Sequence, residues 1–171
     1  MAYTFIVETG DNVPGSNSYV SVDEAADYLT QNIHVAATWD ALPLDSKQRL
    51  LSWATRYLDQ QGRWNGYKTY SDQSLRFPRT GVKDQDGTPL PPDEIPTQLK
   101  EAVIEMARFF LVSDRSAPRG QDGLKKLKVE EIELTFRDDY TLPVVPPQLN
   151  LILRGLGAIL GNSTFAKIRR S

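Results

Sequence analysis

The sequence predicts a mainly α fold: a small bundle of about four helices with a short β-hairpin extension, a long irregular loop and a C-terminal arm. Three observations carry this expectation. Several segments repeat apolar residues at the 3.6-residue period behind helix-start signals, the stretch from Arg63 to Pro92 is crowded with glycine and proline, and residues near 130 alternate apolar with charged. With 171 residues, 40% of them hydrophobic and 25% charged, the chain has the composition of one ordinary globular domain and enough core to fold without staples. Residues 1–161 are expected to form that domain, with the β extension at about 124–137 and the arm at 162–171.

Taken in order, Tyr3 to Glu8 is a β-branched and aromatic run that stops at Thr9-Gly10-Asp11-Asn12, the pattern of a short strand. Ser21 with Glu24 three residues later is a capping box, which predicts a helix from Val22 to about Gln31. A second helix follows Pro43 and Asp45, with Leu50, Leu51, Ala54, Tyr57 and Leu58 inward and Gly62 as its stop. The breakers between Arg63 and Pro92 exclude any long regular element there. Pro96 suits the first turn of a third helix over Thr97 to Val112. That helix is apolar around more than half its circumference and so needs cover on several sides, from its own domain or a neighbouring copy. Leu127 and Val129, then Ile132, Leu134 and Phe136, alternate in two phases that slip at Glu130-Glu131, as in a small hairpin. A fourth helix is expected from Gln148 to Leu160, where Gly155 and Gly157 are costly; close packing on another chain or an early break would each account for them.

Charge and chemistry narrow the function classes. Twenty Lys and Arg against 22 Asp and Glu leave a net charge of −2, which excludes a strongly basic nucleic-acid coat and an acidic tail. Without cysteine there is neither a disulfide framework nor a thiolate metal site. Met1 to Phe5 shows no basic region followed by an apolar one, and no run reaches the ~20 apolar residues of a membrane span, so a cytoplasmic protein without membrane contact is expected. His34 is the only histidine and has no carboxylate spaced to orient it; no phosphate-cradling glycine motif is present. Asp84-Gln85-Asp86-Gly87 resembles part of a calcium loop, but Val82 falls where the first ligand belongs, so a surface turn is expected. No catalytic, cofactor-binding or metal-ligating residue is assigned.

Two segments invite contacts. Trp64, Tyr67, Arg76, Phe77 and Arg79 interleave aromatics with cations, which suits loop packing, a protein contact, or a single nucleic-acid strand with bases on rings and phosphates on cations. Phe165, Lys167, Ile168, Arg169 and Arg170 form either an adhesive docking arm or a solvated end.

Glu8 to Ser21, the Tyr57-Leu58-Asp59 helix end, and Leu75-Arg76-Phe77-Pro78-Arg79-Thr80-Gly81-Val82 with Asp86-Gly87 and Ile95-Pro96 resemble, in order and spacing, phage proteins labelled DnaT-like single-stranded-DNA-binding. The pattern is similar also to head-to-tail adaptors of tailed bacteriophages. That resemblance implies a non-enzymatic virion protein of the phage neck, made in the host cytoplasm. It would form a ring of about 12 copies, joining the portal to a downstream neck or tail protein and passing double-stranded DNA without reading its sequence. On it, the five residues from Trp64 to Arg79 would make subunit contacts and the five from Phe165 to Arg170 would dock the portal or tail. The alternative it implies is a phage replication accessory that binds single-stranded DNA.

Overall fold

Ser21 opens α1 (Val22–Leu29) as the capping box requires: its hydroxyl accepts from the Glu24 amide at 3.1 Å and the Glu24 carboxylate accepts from the Ser21 amide at 2.8 Å. The same carboxylate meets Lys100 at 2.6 Å and so ties α1 to a later helix. Asn32 leads into α2 (Ala36–Asp40), a single turn and a half absent from the sequence reading. No side chain caps it; burial of Trp39, fully enclosed, holds it in place, a tertiary effect that local signals do not carry. Pro43 precedes α3 (Leu44–Gln61), which buries Leu51, Ala54, Thr55 and Leu58 and stops at Gly62 as expected. Pro96 precedes α4 (Thr97–Val112).

The computed structural model describes residues 3–112, 126–129, 132–135, 145–146 and 148–160. Within them α4 is the centre of the core. Leu99, Ala102, Val103, Ile104, Met106, Ala107 and Phe110 are all buried, covered by α1, α3 and α5 (Leu149–Ile152). The wide apolar face expected of this helix is thus covered by its own domain, so it gives no reason to invoke a second copy.

The mainly α expectation is overturned. Among the described residues five helices are accompanied by three two-stranded antiparallel ribbons, making a small mixed α/β domain. β1 (Gly62–Trp64) pairs with β6 (Gly157–Ile159), and β2 (Tyr67–Lys68) with β3 (Arg79–Thr80). β4 (Lys126–Val129) pairs with β5 (Ile132–Thr135), with Val129 opposite Ile132, so the phase slip at Glu130-Glu131 does mark a hairpin. The expected helix from Gln148 to Leu160 breaks after one turn. Gly155 takes φ +85°, a left-handed conformation that ends the helix, and the chain then runs as β6 beside β1. A Cβ at Gly155 would lie 2.5 Å from the Lys83 carbonyl oxygen, so this glycine is explained inside one chain.

The strand expected from Tyr3 to Glu8 reduces to one bridge between Val7 and Ser18. The Glu8 amide donates to the Ser18 carbonyl, but Asn17 Oδ1 takes the Ile6 amide, and beyond the segment the buried Glu8 carboxylate accepts from the Gly10 and Val13 amides and the Ser16 hydroxyl. Glu8 thereby shapes the loop up to Asn17. The Asp84 turn is a surface turn, its carboxylate accepting from the Asp86 and Thr88 amides at 2.9 and 2.8 Å. The arm at 162–171 lies outside the described residues.

Candidate functional site

The apolar stripe of α3 faces the core, which leaves Arg49, Ser52, Trp53 and Arg56 at i, i+3, i+4 and i+7 along another face. That face floors a cleft of about 840 Å³. Tyr3, Ser16 and Asn17 form one wall and Lys68, Ser74, Leu75 and Arg76 the other, with Asp59 also lining it. The first wall is tied to the floor: Tyr3 donates to the Gln48 carbonyl at 3.0 Å and lies 2.6 Å from Ser52 Oγ, which donates to Asn17 at 3.2 Å. The two walls are tied to each other, because Asn12 donates to Asp72 and the Gly15 amide to Ser74.

Four cations and two aromatic rings therefore face one cleft against a single carboxylate. Each ring has a guanidinium close by, Arg49 at 4.8 Å from the centre of Tyr3 and Arg56 at 5.6 Å from that of Trp53. Arg49 also pairs with Asp45 at 2.6 Å in an exposed i, i+4 contact of little energy. Trp53 is 43% exposed, an unusual state for an indole on a helix with a well-filled core face. Chemically the cleft can attract an anion and offer its flat substituents a ring.

The second wall is fixed through Asp59. The fully buried Tyr19 donates its hydroxyl to the Asp59 carboxylate at 2.9 Å and accepts from the Phe77 amide at 3.0 Å; the Arg76 amide donates to Asp59 at 3.0 Å. Burial raises the Asp59 pKa to about 6, although the Arg76 amide and the Tyr19 hydroxyl both favour the charged form. Burial, and then Asp59 itself, pushes the Tyr19 phenol well above its ordinary value.

This junction joins the sequence segments that looked familiar, since Tyr19, Asp59 and Arg76-Phe77 each belong to one of them. A family model described as "Putative DnaT-like ssDNA binding protein" matches residues 3–171. The chain belongs to that family. No curated protein and no solved structure matches the chain.

The residues singled out between 64 and 79 are dispersed by the fold. Phe77 is a core residue, with Trp64 edge-on to it at 5.1 Å. The Arg79 guanidinium donates to the carbonyls of Asn65, Gly66 and Arg76 and so ties the turn between β1 and β2 to the segment before β3. Tyr67 is 81% exposed and stands outside the cleft. Only Arg76 of the five lines it. Phe165, Lys167, Ile168, Arg169 and Arg170 lie outside the described residues. His34 is exposed, and its amide donates to Asn32.

Sequence reasoning missed Tyr3, Arg49, Trp53 and Arg56; Lys68 stood within the aromatic and cationic stretch and Asp59 within the Tyr57-Leu58-Asp59 motif, but neither was assigned to a site. A usable signal was there: Trp53 falls off the apolar stripe of its helix and carries arginines at −4 and +3. Tyr3 reaches the cleft by a tertiary route that no local pattern announces.

Proposed function

We propose that the chain binds single-stranded nucleic acid in the α3 cleft, as a binding protein without catalysis. The observation that carries this reading is the half-exposed Trp53 ring set among Arg49, Arg56, Lys68 and Arg76. A single strand needs both parts: cations along its phosphates and a ring on which an unpaired base can stack. A duplex hides its base faces and would leave Trp53 unused. The net charge of −2 is no obstacle, because the cations are concentrated where the ligand would lie. Family membership supports the same reading.

The reading as a phage-neck ring, with portal and tail partners and a double-stranded DNA channel, drew on the apolar circumference of α4, on the long loop as a contact for neighbours and on chain ends that reach other proteins. The first of these falls away, because that face is covered within the chain.

Fluorescence anisotropy with a labelled oligothymidylate at low salt tests the proposal. Trp53→Ala is expected to weaken binding roughly 5- to 150-fold, the range for loss of one stacked base, with the fold intact by circular dichroism. Tyr67→Ala, equally aromatic but outside the cleft, is expected to stay within about twofold. Unchanged affinity in Trp53→Ala would remove the cleft from the argument.

A further inference from the structure

A second depression, about 390 Å³, opens on the same helix and is lined by Ser46, Arg49, Leu50, Trp53 and Phe110. It shares Arg49 and Trp53 with the first cleft, so these two side chains form a saddle between them. The two depressions differ in character. The first is rich in cations; the second has an apolar floor of half-buried Leu50 and nearly buried Phe110, with one cation at the saddle and one hydroxyl.

Resting on the reading of the first cleft, we infer that a bound single strand crosses α3 at Arg49 and Trp53 and seats a further base against Leu50 and Phe110. A nucleobase suits this slot because its faces are apolar and its edge is polar, matching the floor and the Ser46 hydroxyl. The phosphate joining that base to the strand would pass Arg49, the one cation common to both depressions. A free phosphate or an acidic side chain has no use for the apolar floor. The site is thus longer than the first cleft, and affinity should depend on strand length.

Ser46→Glu separates the two depressions. Ser46 lies in the first turn of α3, where a carboxylate is favourable to the helix, and it lines only the second depression. Affinities are compared for oligothymidylates of about 4 and about 12 nucleotides, within the range of single-strand sites. In the natural chain the longer strand is expected to bind at least roughly 10-fold tighter. In Ser46→Glu that gain should largely vanish while the short strand keeps its affinity within about twofold. A 5-iododeoxyuridine photocrosslink to Phe110, mapped by mass spectrometry, is expected from the longer strand only. An unchanged length dependence in Ser46→Glu, or crosslinks confined to the first cleft, would overturn the inference and leave the first cleft standing. A change of oligomeric state in Ser46→Glu with unchanged length dependence would also overturn it, giving the depression to a second copy. Failure of the natural chain to bind either strand would overturn the proposed function itself.

Discussion

Asp59 takes two backbone-directed duties at the end of α3, one through Tyr19 and one on the Arg76 amide, and its charge opposes the anion that the cleft is built to attract. Because its pKa rises to about 6 from an ordinary 3.8, the folded state favours the protonated carboxyl. The stability this contributes is fully present below about pH 4 and is lost as pH rises through 6. Urea unfolding midpoints of the natural chain, measured against those of Asp59→Asn, should therefore decline relative to the variant between pH 4 and 7. Lys68, Arg76 and the buried Tyr19 face the carboxyl, and the Tyr19 phenol is pushed upward, away from that window. A difference independent of pH would mean that the carboxyl stays ionised throughout.

At the scale of elements, the break after α5 decides whether the chain ends its core as a helix or as a ribbon. Gly155→Ala would place a Cβ in a left-handed backbone and within 2.7 Å of Lys83 and Asp84 backbone atoms. A loss of about 2 kcal/mol or more in unfolding free energy is expected, by urea titration. Gly81→Ala is the control, since Gly81 has φ +77° but nothing within 4 Å, so it should lose only the backbone term of about 1 to 2 kcal/mol. Equal losses in both would show that the contact with the 83–84 turn contributes nothing. Elements governed by local signals were legible in advance: the Ser21–Glu24 box, the α3 stop at Gly62, α4 behind Pro96 and the hairpin at 130. Those governed by distant partners were not. α2 exists because Trp39 is buried, and β1 and β6 exist because each supplies the other's hydrogen bonds across most of the C-terminal half of the chain. The first strand was cut short for the opposite reason, the nearby Asn17 side chain taking its Ile6 amide and the Glu8 carboxylate folding the chain just beyond it into a loop.

At the scale of the whole molecule, a slightly acidic chain with one cationic cleft should bind a single strand weakly at high salt and in proportion to the phosphates it neutralises. Four cleft cations correspond to a slope of up to about −3 in log affinity against log salt, and Arg56→Ala should reduce its magnitude by about 0.7. A slope near zero would mean that stacking alone holds the strand. The cleft was legible only in part, because its lining comes from α3, the N-terminal segment and the 68–76 wall, which meet only when folded. The β1–β6 pairing also sets an order of events during synthesis. α4 leaves the ribosome long before Leu149, Leu153, Leu156 and Ile159, which complete the core it belongs to, and the ribbon closes a chain loop from Gly62 to Ile159. A nascent chain stalled before residue 149 therefore presents an open apolar furrow, the state in which chaperones would meet this protein and in which it would aggregate if they did not.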